Sequence, residues 1–173
     1  MTIKKILTEP DPFLRQKSSD VDIVNDDIRK LMDDMLETMY DAPGIGLAAI
    51  QVGVPKRIIV IDLSKEEEKK PLYFINPKII LKSNNNAIYE EGCLSVPGQF
   101  AEIHRPDSCQ IDYLDYNGKK KKLKAEGLLA TCIQHEIDHL EGILFIDYLS
   151  KLKKSFIVKK LSKQKKSLER IVV

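Results

Sequence analysis

The chain has 173 residues, of which 43% are hydrophobic and 31% charged, with a formal net charge of +2. That is enough chain for one domain with its own core, and too apolar for a disordered segment. No apolar run approaches the ~20 residues of a membrane helix, MTIKKILTEPDP has no apolar core of a secretory signal, and three cysteines do not make a disulfide framework, so the reducing cytosol is the expected compartment.

The first predicted element is a helix over 26–40. Ile28, Leu31, Met32, Met35, Leu36 and Met39 recur at three- and four-residue spacing, with Asn25 or Asp26 as cap and Ala42-Pro43-Gly44 as stop. Arg57 to Leu63 reads as a strand apolar enough to be buried on both faces. Leu72 to Leu81, interrupted by Asn76-Pro77, reads as one or two more. The segment around 90–98 reads as turn-rich, bounded by glycine and proline. Cys109 to Tyr116 alternates strongly, and Asn117-Gly118 signals a hairpin into Lys119 to Glu126. Gly127 to Leu140 is a second, apolar helix stopped by Gly142. A third helix runs from Ser150 to about Glu169, with Leu152, Phe156, Leu161 and Leu168 as a loose apolar stripe. Strand runs joined by short turns favour antiparallel pairing, so the expected fold class is α+β.

Charge is uneven along this order. From Ser150 to Val173 there are nine basic residues and one acid, a net +8, against −6 for the remaining 149 residues. The tail suits a polyanionic partner, or else it is a solvated helix face.

The second helix carries His135-Glu136-Ile137-Asp138-His139. Two histidines at i and i+4 stand one turn apart on one face and can share a metal ion, and Glu136 can reach a water beside it. Leu128, Leu129, Ile133, Ile137 and Leu140 make this helix buried, where unpaired polar groups are costly. A third ligand is needed, and Cys93, Cys109, Cys132, His104 and the acids are all candidates. Cys109 reads as core and Cys132 as a pocket wall. Cys93 lies in the turn-rich segment, where a thiolate can point at a metal. Leu128, Thr131 and Cys132 precede His135 by seven, four and three residues, so they share its face and form a wall beside the ion. Gly44 and Gly46, lacking side chains, allow a peptide backbone to approach and pair strand-like.

Three ordered motifs, GIGLAAIQ at 44–51, EGCLS at 91–95 and QHEIDH at 134–139, resemble those of the peptide deformylase family. The resemblance covers the chain to about residue 150, and the basic tail looks like the C-terminal helix of the class typified by Gram-negative enzymes. It implies antiparallel sheets packed around a central helix carrying HExxH, with one helix N-terminal and one C-terminal. A catalytic unit over 1–149 and an appended basic helix over 150–173 follow. It also implies Cys93, His135 and His139 as metal ligands and Glu136 as acid/base. Gln51 and the Leu94 N–H would hold the oxyanion, with Gly46 beside them in the catalytic set. Gly44, Ile45, Tyr89, Glu91, Leu128, Thr131 and Cys132 become substrate contacts. The implied cofactor is Fe²⁺, with Zn²⁺, Ni²⁺ or Co²⁺ able to replace it. The implied reaction releases formate from the N-terminal formyl-methionine of nascent chains, in a cytoplasmic monomer whose tail contacts ribosomal RNA and which has no membrane partner.

One departure is Phe100, where many relatives carry a basic residue, so no role is carried over to it. Two other functions fit the motifs less well. A zinc endopeptidase also uses HExxH but takes its third ligand downstream, where only Glu141, Asp147 or Glu169 remain. A metal-stabilised ribosome-binding module would place the function in the tail.

Overall fold

Asn25 accepts a hydrogen bond from the Ile28 N–H and caps helix α1 (Asp26–Asp41), whose first turn holds Asp26 and Asp27, favourable charges at a helix N-terminus. The computed structural model describes residues 2–64 and 68–171, so the last two residues of the basic tail lie outside it. Met32, Met35 and Met39 of α1 are fully buried. Each contributes about 1.5–3 kcal/mol of burial free energy before entropy is counted. They pack on one face of a five-stranded antiparallel sheet. Its strands are β1 (Gly46–Ala48), β2 (Ile58–Ile61), β3 (Leu72–Lys82), β6 (Ser108–Leu114) and β7 (Lys120–Glu126), in the order β1-β2-β3-β6-β7. All four residues of β2 are buried, as its unbroken apolar run predicts.

Asn76-Pro77 does not end β3. Pro77 has no N–H for the ladder, so the strand slips register between Ile75 and Lys78. Asn76 takes φ +51° there. Its side-chain amide holds both the N–H and the carbonyl of Val21, at 2.8 and 2.9 Å. The other sheet edge is β7, whose Lys120, Lys121, Lys122 and Lys124 are exposed. A lysine-rich edge resists pairing with another chain.

The turn-rich reading of 90–98 is corrected. Strands β4 (Asn86–Cys93) and β5 (Val96–Pro106) form a separate two-stranded ribbon, with only Leu94-Ser95 as its turn. Glycines at 92 and 98 and a proline at 97 masked the alternation. The structure needs Gly92 bare, because a Cβ there would lie 2.5 Å from the Phe100 ring.

Helix α2 (Gly127–Leu140) leaves β7 directly at Gly127 and lies between the sheet and the ribbon. Ten of its fourteen residues are buried. Ile133, Ile137 and Leu140 join Ile59, Ile61, Phe74 and Ile111 in the core on the other face of the sheet. The α+β architecture around a central helix is therefore as expected.

The apolar stripe expected on the third helix, α3 (Lys151–Ile171), is also corrected. Leu152, Phe156 and Leu168 are exposed, whereas Ile157 and Leu161 are buried against Val96, Ile103 and Phe145. The 157/161 pair is spaced for one helical face, and the ribbon selects that face. Asp147 ties the start of α3 to the N-terminal segment. It accepts from Arg15 at 2.6 Å, from Lys154 at 2.5 Å and from the Leu144 N–H at 3.0 Å.

Burial raises the Asp147 pKa, but the bonds from Lys154, Leu144 N–H and Arg15 outweigh it and hold the carboxyl below its ordinary value of 3.8. A depressed folded pKa adds stability above the unfolded value, and that stability is lost as pH falls through the folded one. Asp147→Asn is expected to cost about 1–2 kcal/mol near neutrality. Thermal melts should show the gap between wild type and variant closing below about pH 4.

Candidate metal centre and substrate cleft

Two ligand candidates stand on one rigid rod. His135 and His139 occupy successive turns of α2, with ring centroids 5.0 Å apart. The third comes from the tip of the ribbon, where the two-residue turn ends β4 at Cys93. Cys93 Sγ lies 3.3 Å from His139 Nε2. One donor atom from each of Cys93, His135 and His139 falls within 4.8 Å of the others. A tetrahedral ion with bonds of about 2.3 Å to sulfur and about 2.0 Å to nitrogen sets such atoms roughly 3.5 Å apart. The donor set therefore fits a metal ion. Of the other third-ligand candidates, Cys109 is buried in the sheet core and His104 is exposed on β5. Glu141 and Asp147 are paired with Arg57 and Arg15.

His135 is oriented by a carboxylate. Its Nδ1 lies 2.8 Å from Glu91 Oε2, and a carboxylate only accepts, so Nδ1 carries the proton and Nε2 is left for a metal. Glu91 is in turn gripped by Arg105 through Nε at 2.6 Å and Nη2 at 3.0 Å. Arg105 also donates to Asp138 at 2.8 Å, and Asp138 accepts from the Tyr148 hydroxyl at 2.7 Å. Burial raises the Glu91 pKa, but the bonds to His135 and Arg105 win and hold it below 4.5. Glu91 was expected as a substrate contact. It does border the cleft, but both its oxygens are committed to His135 and Arg105.

The two imidazoles differ in their surroundings. Burial opposes protonation of both. Bonds to Cys93 and Glu91 nonetheless raise the His135 pKa well above 6.5, while burial and the neighbouring His135 charge push His139 well below it. Glu136, between the two ligands, is 5% exposed, and burial pushes its carboxyl up to about 7. Its Oε2 has no hydrogen-bond partner among the described residues. On its other side is Gly46, where a Cβ would sit 2.5 Å from Glu136 Oε1. Gly44 is bare for a similar reason, since a Cβ there would lie 2.7 Å from Leu94. Close approach of Leu94 and Glu136 thus accounts for both glycines, which also line the cleft.

Gln51 lies in a 3-10 turn (Ala49–Val52) immediately after β1. Its Oε1 accepts from the Ala48 N–H at 2.9 Å, which fixes the amide orientation. Nε2 then points to Ser95 Oγ at 3.0 Å and Cys93 Sγ at 3.5 Å. The N-terminal segment braces both walls from behind, with Leu7 N–H donating to the Gln51 carbonyl and Glu9 N–H to that of Ser95. The Leu94 N–H has no backbone partner among the described residues.

These groups open on a cleft of about 450 Å³. Gly44, Ile45, Gly46, Gln51, Cys93 and Leu94 form one side. Tyr89, Glu91, Leu128, Thr131, Cys132, His135 and Glu136 also line it, with Phe100 at the rim. Ile45, Leu128 and Phe100 are exposed there. Cys132 is a wall residue with an inert thiol, its pKa pushed up to about 12 by burial.

The sequence reading missed Arg105, Asp138, Tyr148 and Ser95. Arg105 had a signal. It shares the inward face of β5 with Ala101 and Ile103 at a period of two, and an arginine on such a face requires carboxylates.

The family described as "Polypeptide deformylase" matches residues 3–155. The peptide deformylase of Pelagibacter ubique is 68% identical over the whole of both chains. That of Rhizobium meliloti is 58% identical over 96% of this chain and 97% of its own. The chain belongs to the polypeptide deformylase family. The fold agrees. The crystal structure of peptide deformylase from Ehrlichia chaffeensis in complex with actinonin superposes with a TM-score of 0.91 at 48% identity, covering 95% of this chain and 98% of that one.

Removing the Glu91 carboxylate frees the His135 ring and leaves Arg105 a buried cation short of a partner. Glu91→Ala is expected to lower metal affinity about 10–100-fold. Metal retained after dialysis against graded chelator measures it.

Proposed function

We propose that this deformylase-family hydrolase binds one divalent metal through Cys93 Sγ, His135 Nε2 and His139 Nε2. We infer that it hydrolyses the formyl group from the N-terminal formyl-methionine of nascent polypeptides. The observation that carries this reading is the thiolate and two imidazoles converging beside a buried carboxylate, Glu136, at the wall of a cleft. A divalent ion there supplies Lewis acidity and a lowered pKa for the attacking water. Iron(II) is taken as the native ion, and one thiolate with two imidazoles equally admits zinc, nickel or cobalt.

The chain's own residues do the rest. The Glu136 carboxylate takes a proton from the attacking water through Oε2, and its raised pKa suits it to return that proton to the departing amine nitrogen. Gln51 Nε2 and the Leu94 N–H donate to the oxygen that gains charge at the formyl carbon. The Ala48 bond to Gln51 Oε1 holds this donor in place before substrate arrives. Formate leaves with the water oxygen, and the peptide leaves with a free amine. β1 is an edge strand of its sheet, so its open side can pair with the substrate backbone. The apolar wall of Leu128 and Cys132 suits the methionine side chain.

The endopeptidase alternative loses its basis, because the ligand that completes the donor set lies upstream at Cys93. The ribosome contact stays a proposal for the tail. Lys159, Lys160 and Lys163 of α3 are exposed, while Ile157 and Leu161 hold the helix to the body. Cutting the chain at Leu149 would uncover Val96 and Phe145, so charge reversal is the better probe. No helix among the described residues is long and apolar enough to cross a membrane. A cytoplasmic monomer acting on nascent chains accords with this reading.

Glu136→Gln is expected to cut formate release from formyl-Met-Ala-Ser by about 10²–10⁴-fold. Bound metal, measured by elemental analysis, should stay stoichiometric. Unchanged turnover would overturn the role of Glu136. Lys159→Glu with Lys160→Glu and Lys163→Glu should weaken ribosome co-sedimentation and flatten its salt dependence. Equal binding by the triple variant would remove the tail from that role.

A further inference from the structure

We propose that Ser95 is a positioning residue for the hydrolysis: its hydroxyl takes one of the two Nε2 hydrogens of Gln51 and so aims the other at the oxygen that gains charge. This rests on the deformylase reading and deepens it, by naming what orients the Gln51 donor.

A side-chain amide carries two donor hydrogens and one acceptor oxygen in a single plane. At Gln51 the oxygen end faces the Ala48 N–H at 2.9 Å. A backbone N–H only donates, so the oxygen and not the nitrogen occupies that end. Nε2 then has two neighbours, Ser95 Oγ at 3.0 Å and Cys93 Sγ at 3.5 Å. An amide nitrogen does not accept, so Ser95 Oγ is the acceptor in the shorter contact. Gln51 and Cys93 line the cleft, whereas Ser95 is fully buried. One N–H is thus committed to the interior, and planarity sends the other toward Cys93 and the cleft.

The hydroxyl can do this because its own place is set. The Ser95 N–H lies 3.4 Å from Cys93 Sγ, and the Ser95 carbonyl accepts from the Glu9 N–H at 2.8 Å. The Gln51 carbonyl is held in the same way by the Leu7 N–H at 2.7 Å. Backbone is therefore fixed on both sides of the Ser95–Gln51 bond. Without Oγ a buried N–H loses its partner, and an amide held only through its oxygen is free to turn about χ3, a torsion with a broad well. The remaining donor is then no longer preset when charge develops.

The test is a double-mutant cycle on the metal-loaded full chain, reading formate from formyl-Met-Ala-Ser. Ser95→Ala is expected to lower kcat and kcat/KM together by about 3- to 10-fold with KM unchanged, as for a contact made only in the transition state. Gln51→Ala should lower both by about 10²–10³-fold. Adding Ser95→Ala to Gln51→Ala should cost at most about 2-fold more, because Ser95 acts through Gln51. In the isotope-labelled, zinc-loaded protein, one Gln51 Nε2 proton should exchange slowly with solvent by nuclear magnetic resonance, and Ser95→Ala should remove that protection. Equal losses from Ser95→Ala in both backgrounds would overturn the proposal, as expected if Ser95 served packing alone. So would wild-type kcat in Ser95→Ala, or a rise confined to KM. Should the double variant not fold, unchanged protection of the Gln51 proton in Ser95→Ala would overturn it equally. No formate from wild type would instead overturn the deformylase reading.

Discussion

A carboxylate buried between an imidazole and a guanidinium holds this molecule's site in register. Glu91 comes from the ribbon, His135 from α2 and Arg105 from the facing ribbon strand, and Asp138 returns the chain of contacts to α2. Two positive or protonated partners offset the desolvation of each negative one. Such a network is stable only when every member is satisfied, because each buried charge left alone is far costlier than the pair. It fixes the tautomer of His135 and clamps the ribbon to the helix. Cys93 can approach His139 only because that clamp sets the distance between the two bodies.

The chemistry-bearing residues were easier to read from sequence than the frame that positions them. The i, i+4 spacing of His135 and His139 is a local property of a helix, and the helix itself is announced by its apolar positions. Cys93 was one candidate among several on residue chemistry alone, and its motif singled it out. The ribbon was not read as strands, because Gly92, Pro97 and Gly98 break the alternation that marks a half-buried strand. Gly92 makes room for Phe100, and Gly98 takes φ +71° with open space around it. Glu91 does border the cleft, but nothing local tells that its carboxylate also takes Arg105 across fourteen residues of hairpin.

The third helix illustrates a different limit. Its apolar residues offer two faces, one through Leu152 and Phe156 and another through Ile157 and Leu161. Sequence periodicity weights them alike. The choice is made by tertiary fit to Val96, Ile103 and Phe145, and the first two of these lie more than fifty residues earlier in the chain. Likewise, Gly44 and Gly46 signal a need for space, but not which neighbour claims it.

The donor atoms are shared between a stiff rod and the end of a narrow hairpin that belongs to neither face of the main sheet. An ion seated among them would act as a rivet, closing a circuit of some forty residues between Cys93 and His135 and restricting the unfolded chain as a cross-link does. One anchor is carried on a ribbon tip and the other two on a single rod, and the Glu91–Arg105 clamp holds the two at a set separation. The rigidity of the hairpin tip would then depend on whether that rivet is in place.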